Sequence, residues 1–346
     1  MNALKLTTYF GERDRARGRF LSDALADVYA HHRIRASVVM RGVEGFGVKH
    51  HLHSDRTLTL SEDLPLVSVA VDRRERIEGV LGEVVELFGD GLITLERALM
   101  GDAAPSAVGG DATKLTFYVG RRGAHLAIVD ALHRHGVAGA TVLLGVDGTT
   151  GGGRRRARFF AANVDVPLMV IAVGAPGPIA AALAEIRTLL DEPLFTLERV
   201  RVCKRDGVRL AEPAEVAASD ASGLGVWQKL MVYCGEQSRH RDRPLYSELV
   251  RALRAAGAAG ATSLRGVWGY HGDHEPHGDS LWQLRRRVPV VTVVVDTPER
   301  IRRWFAIVDE LTAETGLVTS EQVPALRATG PDIARGGLRL ADPGVR

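Results

Sequence analysis

Cysteine is scarce: the 346 residues hold two, Cys203 and Cys234. They form neither a disulfide framework nor a CxxC pair, which points to a reducing compartment and excludes a stapled secreted scaffold. Long apolar runs are missing as well. No stretch reaches the roughly 18–20 residues of a membrane span, and the N-terminus carries no apolar signal segment. A cytoplasmic protein is therefore expected. Charge of one sign is lacking too, since 45 basic residues face 42 acidic ones for a formal charge of +3. Binding to nucleic acid requires a concentrated basic face, so no nucleic-acid partner is expected. There is no GxSxG, no HExxH and no Cys/His pair in a matching frame, and the chain is not expected to be an enzyme.

What is present is repetition. "LKLTTYFGE" (Leu4–Glu12), "TKLTFYVGR" (Thr113–Arg121) and "QKLMVYCGE" (Gln228–Glu236) are three versions of one alternating segment that ends in glycine. Alternation of this kind marks a half-buried strand. "VVMRGV", "TVLLGV" and "TSLRGV" follow, then "DLPLVSVAV", "DVPLMVIAV" and "RVPVVTVVV", then "LITLERA", "LFTLERV" and "LVTSEQV". The register holds. Gly42 to Pro65, Gly145 to Pro167 and Gly266 to Pro289 span 23, 22 and 23 positions, and those prolines precede Thr94, Thr196 and Thr319 by 29, 29 and 30. The chain is a triplication.

Between these landmarks the period becomes helical. "PLYSELVRALRAAG" (Pro244–Gly257) sets Leu245, Leu249 and Leu253 at i, i+4 and i+8 between a proline and a glycine. "ERIEGVLGEVVELFGDG" carries Ile77, Val80, Leu81, Val84, Val85 and Phe88 at helical spacing. Each unit thus reads βαββαβ, an α+β unit with both helices on one face of a four-stranded sheet. The other face is apolar in "VSVAV" and "VTVVV" and must be covered. Three ferredoxin-like units can cover one another around a pseudo-threefold axis, so an intramolecular pseudo-trimer, monomeric in solution, is expected. The units are placed at 1–103, 113–204 (the degenerate copy) and 228–326, with 327–346 as a tail without fixed structure.

The frame "KLTxYxGE…GATVLRGV.GFG…H…SEDLPLV…GLITLE" resembles the domain-of-unknown-function 190 family, which is similar in fold to the nitrogen-regulatory PII signal proteins. "RGVEGFGVKHH" (Arg41–His51) looks like the PII segment that opens the T-loop, and "GDGLIT" (Gly89–Thr94) like the Gly-Asp-Gly turn before the last strand. The resemblance implies a cleft between neighbouring units that binds an adenine nucleotide. It nominates Gly45, Phe46, Gly47, Gly89, Asp90 and Gly91, and in the third copy Gly269, Tyr270, Gly316 and Gly272. The second copy keeps Gly148 but has Pro193 where a glycine belongs. Val48 and Lys49 stand where PII proteins carry a glutamine for 2-oxoglutarate, and Val48–Glu62 has no counterpart of the modified T-loop tyrosine. The resemblance also permits a membrane transporter or channel as partner, since family members are often encoded beside a fluoride channel.

On their own chemistry, Arg41 and Arg265 at glycine-bearing strand ends can cradle a small anionic ligand, or pair with Glu12 and Glu236. Gly42, Gly145 and Gly266 read as backbone-geometry residues. "GTTGGGRRRARFF" (Gly148–Phe160) lacks the Gly-Lys-Ser/Thr ending of a phosphate loop and reads as a solvated loop, although Arg154–Arg156 and Arg158 could meet an acidic partner. Arg285–Arg287 has the same two readings. His271, His274 and His277 offer metal donors, but glycines and a proline break any helix that would align them, and the other copies do not repeat the set. They read as loop residues. Cys234 aligns with Phe10 and Val119 and reads as packing. The leading expectation is a PII-like regulatory protein. The alternatives are a CutA-like metal-binding protein and a ligand-free scaffold.

Overall fold

The computed structural model describes residues 2–47, 51–54, 63–120, 124–156, 166–220, 223–271, 276–278, 288–330 and 333–340. The first unit runs β1 (Asn2–Gly11), α1 (Leu21–His31), β2 (Ala36–Phe46), β3 (Pro65–Arg73), α2 (Arg74–Leu87) and β4 (Gly91–Met100). The second runs β5 (Ala112–Gly120), α3 (Ala124–Arg134), β6 (Gly139–Thr150), β7 (Pro167–Gly174), α4 (Pro176–Leu189) and β8 (Phe195–Arg205). The third runs β9 (Trp227–Gly235), α5 (Leu245–Ala255), β10 (Ala261–His271), β11 (Pro289–Asp296), α6 (Pro298–Leu311) and β12 (Leu317–Val323). Helix and strand fall where the two periods place them. Leu245, Leu249 and Leu253 form the buried stripe of α5, and Ile77, Val80 and Val84 that of α2, while Phe88 is buried just beyond the helix end.

In each unit the first strand lies between the third and the fourth, and the second flanks the third, all antiparallel. One face carries the helices: Leu4, Leu6 and Phe10 of β1 pack with Leu25, Tyr29, Ile77 and Val84. The opposite faces meet in the middle of the molecule. Val67, Val69 and Val71 of β3, Met169, Ile171 and Val173 of β7, and Val291, Val293 and Val295 of β11 form one central cluster. That is how the uncovered apolar faces are covered.

The units are joined by strands that change partners midway. The C-terminal half of β2 pairs with the start of β10, that of β6 with the start of β2, and that of β10 with the start of β6. Gly42, Gly145 and Gly266 sit at these crossings. A Cβ there would stand 2.7 Å from Pro65 Cγ, 2.6 Å from the Pro167 carbonyl or 2.8 Å from Pro289 Cγ, so only glycine lets the strands pass. The fourth strands repeat the device. The end of β4 pairs with the start of β8, and the end of β8 with β12.

The third such link corrects one expectation. A tail without fixed structure is expected over 327–346, of which 331, 332 and 341–346 lie outside the described residues; in the rest, β13 (Ala325–Gly330) pairs with β4 from Leu95 to Gly91, and β14 (Ile333–Gly337) folds back on β13. Beyond it, Leu338 and Leu340 rest on the first unit's helix-side core. An unpaired half of β4 would be an open sheet edge, and the chain supplies its own strand to close it.

Candidate functional site

Two features come from the meeting of the units, a charged ring at the centre and a cleft at the rim.

The ring is built from one lysine and one glutamate per repeat. Lys5, Lys114 and Lys229 on the first strands face Glu96, Glu198 and Glu321 on the fourth strands of their own units. The same side chains also reach the neighbouring unit. Lys5 touches Glu96 at 3.0 Å and Glu198; Lys114 touches Glu198 at 3.1 Å and Glu321; Lys229 touches Glu321 at 2.9 Å and Glu96 at 2.6 Å. Three cations and three anions alternate in a closed circuit, and all six residues are buried. Burial works against ionisation of Glu321, but Lys114, Lys229 and Lys5 outweigh it and hold its pKa down at about 2. Glu96 is likewise held low against burial by Lys229, Lys5 and Lys114. Burial opposes the charge on Lys5 as well, and Glu198, Glu96 and Glu321 together raise its pKa well above the ordinary value.

Among the described residues, these three glutamates are the acidic, histidine or cysteine group whose donor atoms approach closely enough for a metal ion. Each carboxylate already holds two ammonium groups, so the donor set is neutralised from within and does not fit a cation. His274 and Gly272 lie outside the described residues, as do Arg158 and Arg285–Arg287. The backbone places His271 at the end of β10 and His277 opposite Gly269.

The cleft lies between the first and third units and encloses about 260 Å³. Its first-unit wall contains Gly45, Phe46 and Gly47 from the end of β2 with Asp90 and Gly91 from the turn before β4. Gly47 and Asp90, 43 residues apart in the sequence, thus share one wall. Tyr9, Phe10 and Gly11 from the end of β1 join them, and the opposite wall is Gly260–Thr262, Val293 and Val295 of the third unit. Gly91 has φ +134, and a Cβ there would lie 2.6 Å from the Tyr9 carbonyl, so the turn tolerates no side chain. Phe46 is buried against the third unit's helix-side core, which fixes the rim. Where β1 ends, Asp14 accepts from the Gly11 amide at 2.8 Å and Asp63 from the Arg13 amide at 2.7 Å. Those two carboxylates hold the exit turn of the strand.

The remaining nominations divide. Gly89 is exposed and is not part of the cleft lining. Arg41 is turned to Glu12, donating from Nε at 3.1 Å and from Nη2 at 2.8 Å, and Arg265 pairs with Glu236 at 2.8 Å. Neither guanidinium lines the cleft, and both form the ion pair that was the alternative to an anion cradle. In the third copy, Tyr270 is buried in the second unit's core and donates to the Val137 carbonyl at 3.0 Å. The space beside it encloses about 10 Å³, too little for a ligand. The Gly316 carbonyl accepts from the Asp206 amide at 2.8 Å, so that turn is covered by the hairpin following β8. Among the described residues, the nominated set of the third copy does not form an open cleft.

The second copy's glycine-rich loop is also occupied. Its strand Gly153–Arg156 pairs back on β6. Arg154, a quarter exposed, binds Asp147 at 3.1 Å through Nε, Asp23 at 3.0 Å, and Asp27, while Arg156 reaches Asp23 at 2.9 Å. The acidic partner of this loop is α1 of the same chain.

Sequence reasoning missed the ring and the tail. The ring had a signal: lysine recurs at the second position of "LKLT", "TKLT" and "QKLM", and glutamate in "TLER", "TLER" and "TSEQ". The tail had none, because β13 is defined by its partner and not by its own pattern.

Comparison with known proteins agrees with the triplication. The family described as DUF190, "Uncharacterized ACR", matches residues 3–100, 113–202 and 227–325. A UPF0166 protein of Aquifex aeolicus (strain VF5) is 41% identical over 64 residues, covering 18% of this chain and 67% of that protein. Among solved structures, an aspartate kinase from Synechocystis matches 95% of this chain and 45% of its own at 12% identity, with a TM-score of 0.26. Three successive matches spanning most of its length show that the chain belongs to the DUF190 family, in three tandem copies.

Proposed function

We propose that this chain is a non-enzymatic regulatory protein, built as an intramolecular pseudo-trimer of ferredoxin-like, PII-like units. It takes one nucleotide-like anionic ligand in the cleft between the first and third repeats and signals occupancy to a protein partner. The observation that carries this reading is the convergence of Gly45–Gly47 with Asp90 and Gly91 in one inter-repeat wall. In PII proteins the corresponding segments meet between subunits; here the cyclic exchange of strands and the Lys–Glu ring support the same arrangement within one chain.

Phe10, Leu92, Val293 and Val295 offer apolar surface to a flat base, and the glycine backbone leaves room for close approach. Gly47 lines the cleft just before the segment that resembles the T-loop, so a ligand there touches the root of the segment a partner would read. A transporter or channel met from the cytoplasmic side suits such a reader. Calorimetry of the whole chain with ATP, ADP, AMP and cyclic nucleotides tests the reading. One site per chain is expected; three equal sites, or no binding by any of them, would overturn it.

A further inference from the structure

The cleft is completed by residues outside the three family matches. The last match ends at 325, yet Ala328 of β13 and Arg335 of β14 both line the cleft. Arg335 is the single lysine or arginine among the described lining residues, which also include His51, His53, Asp14, Asp63 and Asp90. Its guanidinium lies over the Trp227 ring at 4.9 Å and 3.7 Å from Asp296. Asp296 is itself shared, accepting from the Thr297 amide at 2.9 Å and from Trp304 Nε1 at 3.1 Å. Arg335 Nε is buried and has no hydrogen-bond partner. A guanidinium carries five N–H donors in a planar fork, and in Arg335 the Nε–H is left without a partner. Stacking on Trp227 fixes the plane of that fork in advance, which reduces the entropy lost when an anion docks.

We infer that the C-terminal hairpin is part of the ligand site, with Arg335 as the cation for a single phosphate group, so that the ligand is a mononucleotide and not a polyphosphate. The inference rests on the nucleotide reading above. The charge count limits the phosphates. Among the described lining residues, a triphosphate would set three to four negative charges beside three aspartates with one arginine and two histidines to balance them, whereas one phosphate matches one arginine. The hairpin also explains why this cleft differs from the others, because the first unit receives a strand pair from beyond the third repeat, and β14 of that pair reaches the opening.

Calorimetry with adenosine, AMP and ATP on the whole chain and on Arg335→Gln and Arg335→Lys decides the matter. AMP is expected to bind at one per chain and more tightly than ATP. Arg335→Gln should weaken AMP by about 10- to 100-fold, the scale of a charge-assisted contact, and leave adenosine unchanged, while Arg335→Lys recovers part of the loss. Equal losses for adenosine and AMP would mean that the variant disturbs the fold of the cleft, and would overturn a phosphate role for Arg335. An unchanged AMP affinity would overturn the inference and leave the nucleotide reading standing. Tighter binding of ATP than of AMP would overturn the single-phosphate limit. No binding of any of the three to the unaltered chain would remove both.

Discussion

Lys229 makes two contacts with carboxylates of different units, and 4% of its side chain is exposed. Removing one ammonium from such a circuit leaves Glu96 with Lys5 alone and Glu321 with Lys114 alone, so the buried ring carries one carboxylate in excess. Lys229→Met should therefore destabilise the protein by about 3–5 kcal/mol, the usual result of breaking a buried ion pair from one side. Urea unfolding monitored by circular dichroism measures this directly. Arg41 is the contrasting case, since half its side chain is exposed and its partner Glu12 lies at the surface. Arg41→Ala should change stability by less than about 1 kcal/mol, as exposed pairs do. It should also leave AMP affinity unaltered in calorimetry, because Arg41 does not line the cleft.

At the scale of elements, the long second strands decide how the units fit. Each serves its own sheet in one half and a neighbour's in the other, and the change occurs at Gly42, Gly145 or Gly266. Gly145→Ala would drive a Cβ to 2.6 Å from the Pro167 carbonyl and 2.8 Å from Val38 Cγ1, atoms of two different units. Neither can retreat without moving a strand. A loss of about 1–3 kcal/mol is expected from such overpacking, read as a lowered denaturation midpoint. The tail is the other element with a defined task. A chain ending at Pro324 would leave the Gly91–Leu95 half of β4 without the partner that Ala325–Thr329 provides. That truncation should lower the melting temperature, and it should form concentration-dependent aggregates in light scattering, since an open edge recruits other chains.

For the whole molecule, the closed circuit of second strands and the alternating ring join each unit to both of the others. The chain should run as a monomer of 37.4 kDa in light scattering, and an obligate trimer of this chain would contradict that expectation. The ring also sets an acid limit. Glu321 has an ordinary pKa of 4.5 and about 2 when folded, so its ionised form stabilises the fold above pH 4.5. That contribution is lost as the pH falls through 4.5 toward 2, when the carboxylate takes a proton and leaves the lysines facing each other. Glu96 is lowered in the same direction and adds to the effect. Stability measured by thermal unfolding should fall steeply across this window, and the Glu321→Gln variant should show a shallower fall.

The sequence alone determined everything that depends on local period and on repetition. Alternation and helical spacing placed the strands and helices, the threefold recurrence set the units, and the aligned glycines announced positions that accept no side chain. Only the tertiary structure decided which of these features make a site. Whether Arg41 meets a ligand or Glu12 depends on a turn brought close from another strand, and which cleft is open depends on side chains lent by a neighbouring unit. Tyr270 and the hairpin after β8 occupy one junction, Arg154 bonded to Asp23 and Asp27 latches another, and the third is open to Arg335. The tail shows the limit most clearly. Ala325–Gly330 has little strand pattern of its own and becomes a strand because β4 presents an unpaired half whose backbone groups need partners. A preference supplied by a distant edge leaves no mark on the residues that answer it.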